Sequence, residues 1–175
     1  MENKIKLNLG SGENIIDGFE NIDIFPHEGV TVGKAEKLDY PDESVDLIYS
    51  SHLLEHYPRN VAPDVLSEWY RVLKVGAFLR IAVPDFAKIV EVYQDEGTIM
   101  NMLHGGQRDQ NDFHNQSYDE DSLSKILTDT GFINIYRYDW RNTEHANIDD
   151  YSQAYMPHMD KENGLLMSLN MEAMK

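Results

Sequence analysis

Cysteine is missing altogether from this chain of 175 residues. Its absence excludes a disulfide framework and every zinc cluster built on thiolates, and it agrees with a reducing compartment. Basic residues are scarce too: 15 Lys plus Arg stand against 31 Asp plus Glu, a formal charge of -16. Nucleic-acid affinity rests chiefly on cationic contacts that release counterions, so the expected partner is a small neutral or cationic molecule and no nucleic acid. The amino terminus, MENKIKLNLG, has no long apolar run of the kind a signal peptide or a spanning helix needs. A cytoplasmic protein without a membrane partner is therefore expected. The length suits one domain over 1–175, with no internal repeat.

What the chain does contain is an alternation of strand-like and helix-like segments. Ile5 to Leu9 is a β-prone run stopped by Gly10-Ser11-Gly12, and Glu20 to Phe25 is another, stopped by Pro26. The stretch between them is too short for a full crossover helix. Val30 to Val32 is a weak third run, and Val45 to Ser51 reads as a buried fourth. Val61, Val65, Leu66, Trp69, Val72 and Leu73 then share one helical face, with Pro63 in the first turn and Gly76 as the expected stop. Ala77 to Val83 predicts a strand. Phe86, Ile89, Val90 and Tyr93 predict a helix ended by Gly97, with Asp85 placed to cap it. Residues 98–118 are polar and predict a lid loop. Ser117 and Glu120 suggest a capping box for a helix carrying Leu123, Ile126 and Leu127 and ending at Gly131. Phe132 to Tyr138 and Leu165 to Ala173 predict two closing strands. The long connection between them, 139–164, carries Trp140, His145, Tyr151, Tyr155 and His158 and predicts either a functional loop or one packed down by its own aromatics. Alternation of this kind argues for an α/β fold with a parallel sheet, whose ligands bind beyond the carboxyl ends of the strands.

Three features at those ends carry candidate chemistry. Leu7-Asn8-Leu9-Gly10-Ser11-Gly12 is a strand entering a glycine turn, which lets main chain approach a ligand; a plain turn would look the same. The third glycine of a dinucleotide fingerprint is missing, which counts against NAD. Asp23 ends the next strand, where a carboxylate can accept from both hydroxyls of a ribose or simply form a turn ahead of Pro26. Ser51-His52-Leu53-Leu54-Glu55-His56 contains H-x-x-E-H, the pattern of an inverted zinc-peptidase helix. It begins at a strand end, however, and Pro58 follows before a helix of useful length can form, so a zinc hydrolase is disfavoured and no metal is expected.

LNLGSG, GFENIDIFP, AEKLDYPDESVDLIYSSHLLEH, LSEWYRVLKVGAFLRIAVPD and DFHNQSYDEDSLSKILTDTGF, in that order, resemble the class I S-adenosylmethionine-dependent methyltransferases, and within them the small type-11 group. The resemblance runs from about Lys6 to Tyr138. It implies a Rossmann-like three-layer sandwich: a mostly parallel seven-strand sheet with an antiparallel last strand, and a first crossover helix shortened or absent. It also implies S-adenosylmethionine as cofactor, S-adenosylhomocysteine as product, and transfer to oxygen or nitrogen of a small-molecule acceptor. By the same resemblance Gly10, Ser11 and Gly12 pass beside the methionine part, Asn8 belongs to the cofactor site at a place where many members carry an acid, Asp23 holds the ribose, and Ala35 and Glu36 border the adenine. Ser51 and His52 face the sulfonium. Lys34 stands where the family often has an adenine-binding Asp, and Val75-Gly76-Ala77 replaces the usual Pro-Gly-Gly. Alignment and exclusion of water supply most of the catalysis in such transfers, and a base is needed only where the acceptor must lose a proton. His52 is the first candidate for that role and His114 the second; shaping the wall is the alternative for each. A module that holds cofactor or partner without turnover is the competing function. A homodimer would bury a sheet edge or the lid of so small a domain.

Overall fold

A computed structural model describes residues 4–93, 96–158 and 160–175. β1 (Lys6–Leu9), β2 (Glu20–Asp23), β3 (Val30–Val32), β4 (Val45–Ser51) and β5 (Leu73–Pro84) pair in parallel, in the spatial order β3-β2-β1-β4-β5. β6 (Ile133–Arg137) forms the far edge. β7 (Tyr155–Met156) and β8 (Leu165–Leu166) make a separate two-stranded ribbon, and β9 (Ser168–Met174) runs antiparallel between β5 and β6. Seven strands thus form one sheet with a single reversed member, the last. The chain works outward from β1 to β3, then returns to lay β4 on the other side of β1. This reversal leaves a crevice beyond the carboxyl ends of β1 and β4.

One face of the sheet is covered by α1 (Ala62–Val72) and, further along the chain, by α4 (Glu120–Thr130). Leu66 and Trp69 of α1 and Leu123 and Leu127 of α4 meet Leu7, Leu9, Ile48, Leu79 and Ile81 in one core, all of them fully buried. Each such side chain contributes about 1.5–3 kcal/mol through burial. α2 (Phe86–Val92) and α3 (Glu96–His104) lie between β5 and α4 in the chain. None of the helices among the described residues is long and apolar enough to cross a membrane.

The opposite face is closed by irregular chain. No helix forms between β1 and β2; instead Ile16 and Phe19 fold over Leu47 and Tyr49, joined by Ile148 from the far segment. Two buried asparagines hold this cover in place. Asn8 Nδ2 donates to Asn14 O and to Asn21 Oδ1, both at 2.9 Å, while Asn21 Oδ1 also accepts from Ile16 N at 3.0 Å. A side-chain amide offers both donors and acceptors, so the pair satisfies loop backbone that a helix would have satisfied internally.

Several local expectations are corrected. α1 ends at Val72 and not at Gly76, because Leu73 turns directly into β5 and pairs with Val45; Gly76 sits inside that strand at φ 80°. α2 stops at Val92, short of Gly97, which lies within α3, so the expected lid loop begins only after His104. Of the expected stripe only Ile89 is buried, with Phe86, Val90 and Tyr93 exposed. The capping box of α4 is Asp119 with Ser122, not Ser117 with Glu120: Asp119 Oδ1 accepts from Ser122 N at 2.9 Å, and Ser122 Oγ accepts from Asp119 N at 3.0 Å. Asp85 does cap α2, accepting from Ala87 N and Lys88 N.

His145 packs its ring 4.0 Å from that of Tyr49 beneath the irregular cover, and its buried Nδ1 has no partner. Burial holds its pKa below the usual 6.5, an effect that Asp150 and Glu144 oppose and Arg80 and Lys6 reinforce. The unfolded chain therefore binds this proton more readily than the folded one. The contribution to stability is complete above pH 6.5 and is lost as the pH falls toward the lower folded pKa. His145→Gln should flatten the loss of stability between pH 7 and pH 5 in urea titrations. An unchanged slope would show that other groups carry it.

Candidate functional site

A cavity of about 1120 Å³ opens at the carboxyl ends of β1, β2 and β4. Its wall takes in Gly10, Asn14, Ile22 to Phe25, Gly33 to Glu36 and His52 from the sheet side. Asn101, Met102, Gly105, Gly106 and residues 108–112 with His114 form a second side, and Asp149 to Tyr151 with Gln153 to Met156 and His158 a third.

The glycine turn is tied to the next strand by its own amides. Gly10 N and Ser11 N both donate to Ile22 O, at 2.9 and 3.2 Å, and Gly12 N donates to Asp23 Oδ2 at 2.8 Å. Gly10 has φ 68°, a conformation that favours glycine, and a Cβ there would stand 2.9 Å from Leu53 Cδ2, so that side chain would have to shift. Asp23 Oδ1 accepts from Phe25 N at 2.9 Å. Each carboxylate oxygen thus holds one main-chain amide and keeps a further lone pair for the cavity.

Next to it, the Gly33–Glu36 segment is anchored from behind. Trp69 Nε1 donates to Ala35 O at 2.9 Å, Gly33 N donates to Asp23 O, and Tyr57 Oη donates to Glu36 Oε2 at 3.0 Å. Lys34 Nζ lies 3.5 Å from Glu36 Oε1. Burial, and then Glu36, pushes the Tyr57 hydroxyl upward, so it stays a donor.

His52 leaves β4 in the left-handed region, at φ 52°. Its N donates to Ala82 O at 2.8 Å, continuing the ladder to β5, and Nε2 lies 3.1 Å from Ser168 Oγ. The ring faces Tyr151, with centroids 5.3 Å apart. Burial pushes its pKa down to about 3, with His114 and His56 adding to the effect, so the imidazole is neutral. One short 3-10 turn later, Glu55 is fully buried and burial pushes its carboxyl up to about 8. Its Oε1 is 3.5 Å from His52 Nδ1 and 3.9 Å from His114 Nε2, and neither carboxylate oxygen has a hydrogen-bond partner. His114 Nδ1 is 2.7 Å from Met102 O, which fixes that nitrogen as the protonated one and leaves Nε2 with its lone pair.

Of the residues expected from the sequence, Gly10, Asp23, Ala35, Glu36, His52 and His114 line this one cavity. Asn8, Ser11, Gly12 and Ser51 do not. Asn8 faces the irregular cover, Ser11 is buried in the turn, Gly12 braces Asp23, and Ser51 Oγ is buried without a partner. Tyr151, Tyr155 and His158 reach the cavity as well, whereas Trp140 and His145 are buried and do not line it. Sequence reasoning missed Tyr57, which follows the turn after β4, and it singled out neither Arg108 nor residues 109–111 within the expected lid loop; the fold-back that joins His114 N to His104 O brings these to the wall. Six carboxylates, Asp23, Glu36, Asp109, Asp112, Asp149 and Asp150, stand on the wall against Lys34 and Arg108, so the cavity favours a cationic ligand.

This arrangement of sheet and cavity is shared with known structures. A methyltransferase dependent on S-adenosylmethionine from Archaeoglobus fulgidus matches 99% of this chain with 87% of its own, at 17% identity and a TM-score of 0.60. The 1,6-didemethyltoxoflavin-N1-methyltransferase of Burkholderia thailandensis, solved with its acceptor and S-adenosylhomocysteine, matches 98% of this chain with 70% of its own, at 13% identity and a TM-score of 0.60. A Haloferax volcanii complex containing the Trm112 methyltransferase activator matches 99% with 83%, at 15% identity and a TM-score of 0.60. The fold is therefore that of the class I S-adenosylmethionine-dependent methyltransferases. A family model described as a methyltransferase domain matches residues 20–81, the stretch from β2 into β5, in agreement with that fold. No curated protein matches the chain.

Proposed function

We propose that the cavity binds S-adenosylmethionine and that the chain transfers its methyl group in line to oxygen or nitrogen of a small-molecule acceptor. The observation that carries this is Asp23. Its carboxylate closes β2, the strand next to β1 and the reversal point of the sheet, pinned by Gly12 N and Phe25 N, with lone pairs left for two vicinal hydroxyls. Gly10 gives the methionine part close access to main chain. Gly33 to Glu36, held from behind by Trp69 and Tyr57, border the adenine. Asn8, Ser11 and Gly12 act one step back, by fixing the loop, and Ser51 by setting the exit of β4.

The bound cofactor supplies an activated methyl on a sulfonium. His52, held neutral, places no second cation beside that charge, and with Tyr151 it walls the transfer line against water. Where the acceptor must give up a proton, His114 Nε2 and His52 are the candidates to receive it, His114 better placed by its Nδ1 anchor.

Titration with S-adenosylhomocysteine tests the assignment in a melting experiment. At a ligand concentration about 100 times Kd, a domain of this size should gain roughly 5–10 °C in Tm. No shift at millimolar ligand would overturn the assignment. Binding without transfer to any of a broad panel of hydroxyl and amine acceptors would favour a module that only holds the cofactor.

A further inference from the structure

Glu55, His56 and His114 present one carboxylate and two imidazoles whose ligand atoms all lie within 4.8 Å of one another. The two rings are oriented in the manner of metal ligands. His56 Nδ1 is 2.9 Å from Asn111 O and His114 Nδ1 is 2.7 Å from Met102 O, so each ring spends its N–H on a carbonyl and keeps Nε2 as the lone-pair nitrogen, that of His114 lying 3.9 Å from Glu55 Oε1. Between them points Glu55, fully buried, with both oxygens lacking any partner. Buried oxygens without a partner are costly whatever their charge, and a bound cation would supply the partner they lack. The backbone holds the trio together: Asn115 N and Gln116 N donate to Glu55 O, and Asn115 Nδ2 donates to His56 O at 2.8 Å.

We infer that Glu55, His56 and His114 bind a divalent first-row transition metal, Zn(II) foremost, with an open coordination position toward the cavity that takes an oxygen or nitrogen donor of the acceptor. Two imidazoles and one carboxylate with a fourth position free are the donor set of a catalytic site, not of a closed structural one. Tetrahedral bonds of 2.0–2.2 Å place ligand atoms about 3.5 Å apart, so the side chains need only small rotations to close on the ion. His56 and His114 line the cavity, which puts the free position on its acceptor side. The ligand set differs from the inverted-peptidase one, because His52 engages Ser168 and His114 takes its place. The expectation of no metal is revised accordingly, and His114 Nε2 then serves the ion instead of a proton. The site stands without the methyltransferase reading; its role toward an acceptor rests on it.

The full chain, stripped with EDTA, is titrated with Zn(II) by calorimetry and with Co(II) by visible absorption. One equivalent is expected to bind, with the intense bands of four-coordinate cobalt. Glu55→Gln, His56→Ala and His114→Ala should each weaken binding by more than the roughly 10- to 100-fold that loss of a supporting hydrogen bond costs. His27→Ala, in a separate pair with Glu13, should change nothing. Wild type binding no tighter than the three variants, or a loss that follows His27, overturns the inference. If Glu55→Gln does not fold, the half-buried His56 decides alone: loss of binding in His56→Ala supports the site and retention sinks it. Asp23→Ala should keep the metal while losing S-adenosylhomocysteine, so failure of one proposal is distinguishable from failure of the other.

Discussion

Asp23→Ala should lower affinity for S-adenosylhomocysteine on the order of 100-fold or more, measured by calorimetry. Hydrogen bonds to a charged group contribute about 1.5–3 kcal/mol each, and two ribose hydroxyls would share this one carboxylate. The same substitution strips Gly12 N and Phe25 N of their acceptor, so the glycine turn loosens as well. Asp23→Asn is the intermediate case. Its one carbonyl oxygen can accept from either Gly12 N or Phe25 N while its NH2 confronts the other, so it should fall between wild type and Asp23→Ala in both affinity and stability. Unchanged affinity in Asp23→Ala would remove the ribose from this position.

Trp69→Ala should destabilise the fold by about 3–5 kcal/mol in urea unfolding, out of the roughly 5–15 kcal/mol that small domains possess. Trp69 is fully buried at the centre of the α1 face, and its indole N–H is the partner of Ala35 O. Its loss opens a cavity in the core and frees the segment proposed to border the adenine. Trp69→Phe fills most of the space but leaves that carbonyl unpaired at a cost of about 1–3 kcal/mol. Cofactor affinity should fall in Trp69→Phe beyond what its stability accounts for, because the anchor is local to Gly33–Glu36. A loss under about 1 kcal/mol in Trp69→Ala would contradict this packing.

Much of the frame is legible from residue order. Val45 to Ser51 is apolar and β-branched enough to be a buried strand, and Val65, Leu66, Trp69 and Val72 recur at helical spacing, since both patterns reflect local periodicity against one core. The short β1–β2 interval excluded a crossover helix by length alone. Boundaries were less legible. Gly76 looked like a helix stop and lies in a strand, because pairing of Leu73 with Val45 ends α1 first. Phe86, Val90 and Tyr93 looked like a buried stripe and are exposed, since periodicity marks a face without saying what, if anything, covers it.

The candidate site divides in the same way. Gly10 and Asp23 are legible because each sits where a strand stops, and a strand end in a parallel sheet is already an address for a ligand. Composition alone set the expectation that the ligand is not polyanionic, and absence of cysteine determined that no thiolate cluster forms. What the string from His52 to His56 does was decided only in three dimensions. Its short turn buries Glu55 without a partner, sends His52 to Ser168, and sets His56 beside His114, a residue delivered by a distant segment folding back at Gly105. No local pattern encodes that meeting, because it depends on hydrogen bonds between segments far apart in the chain.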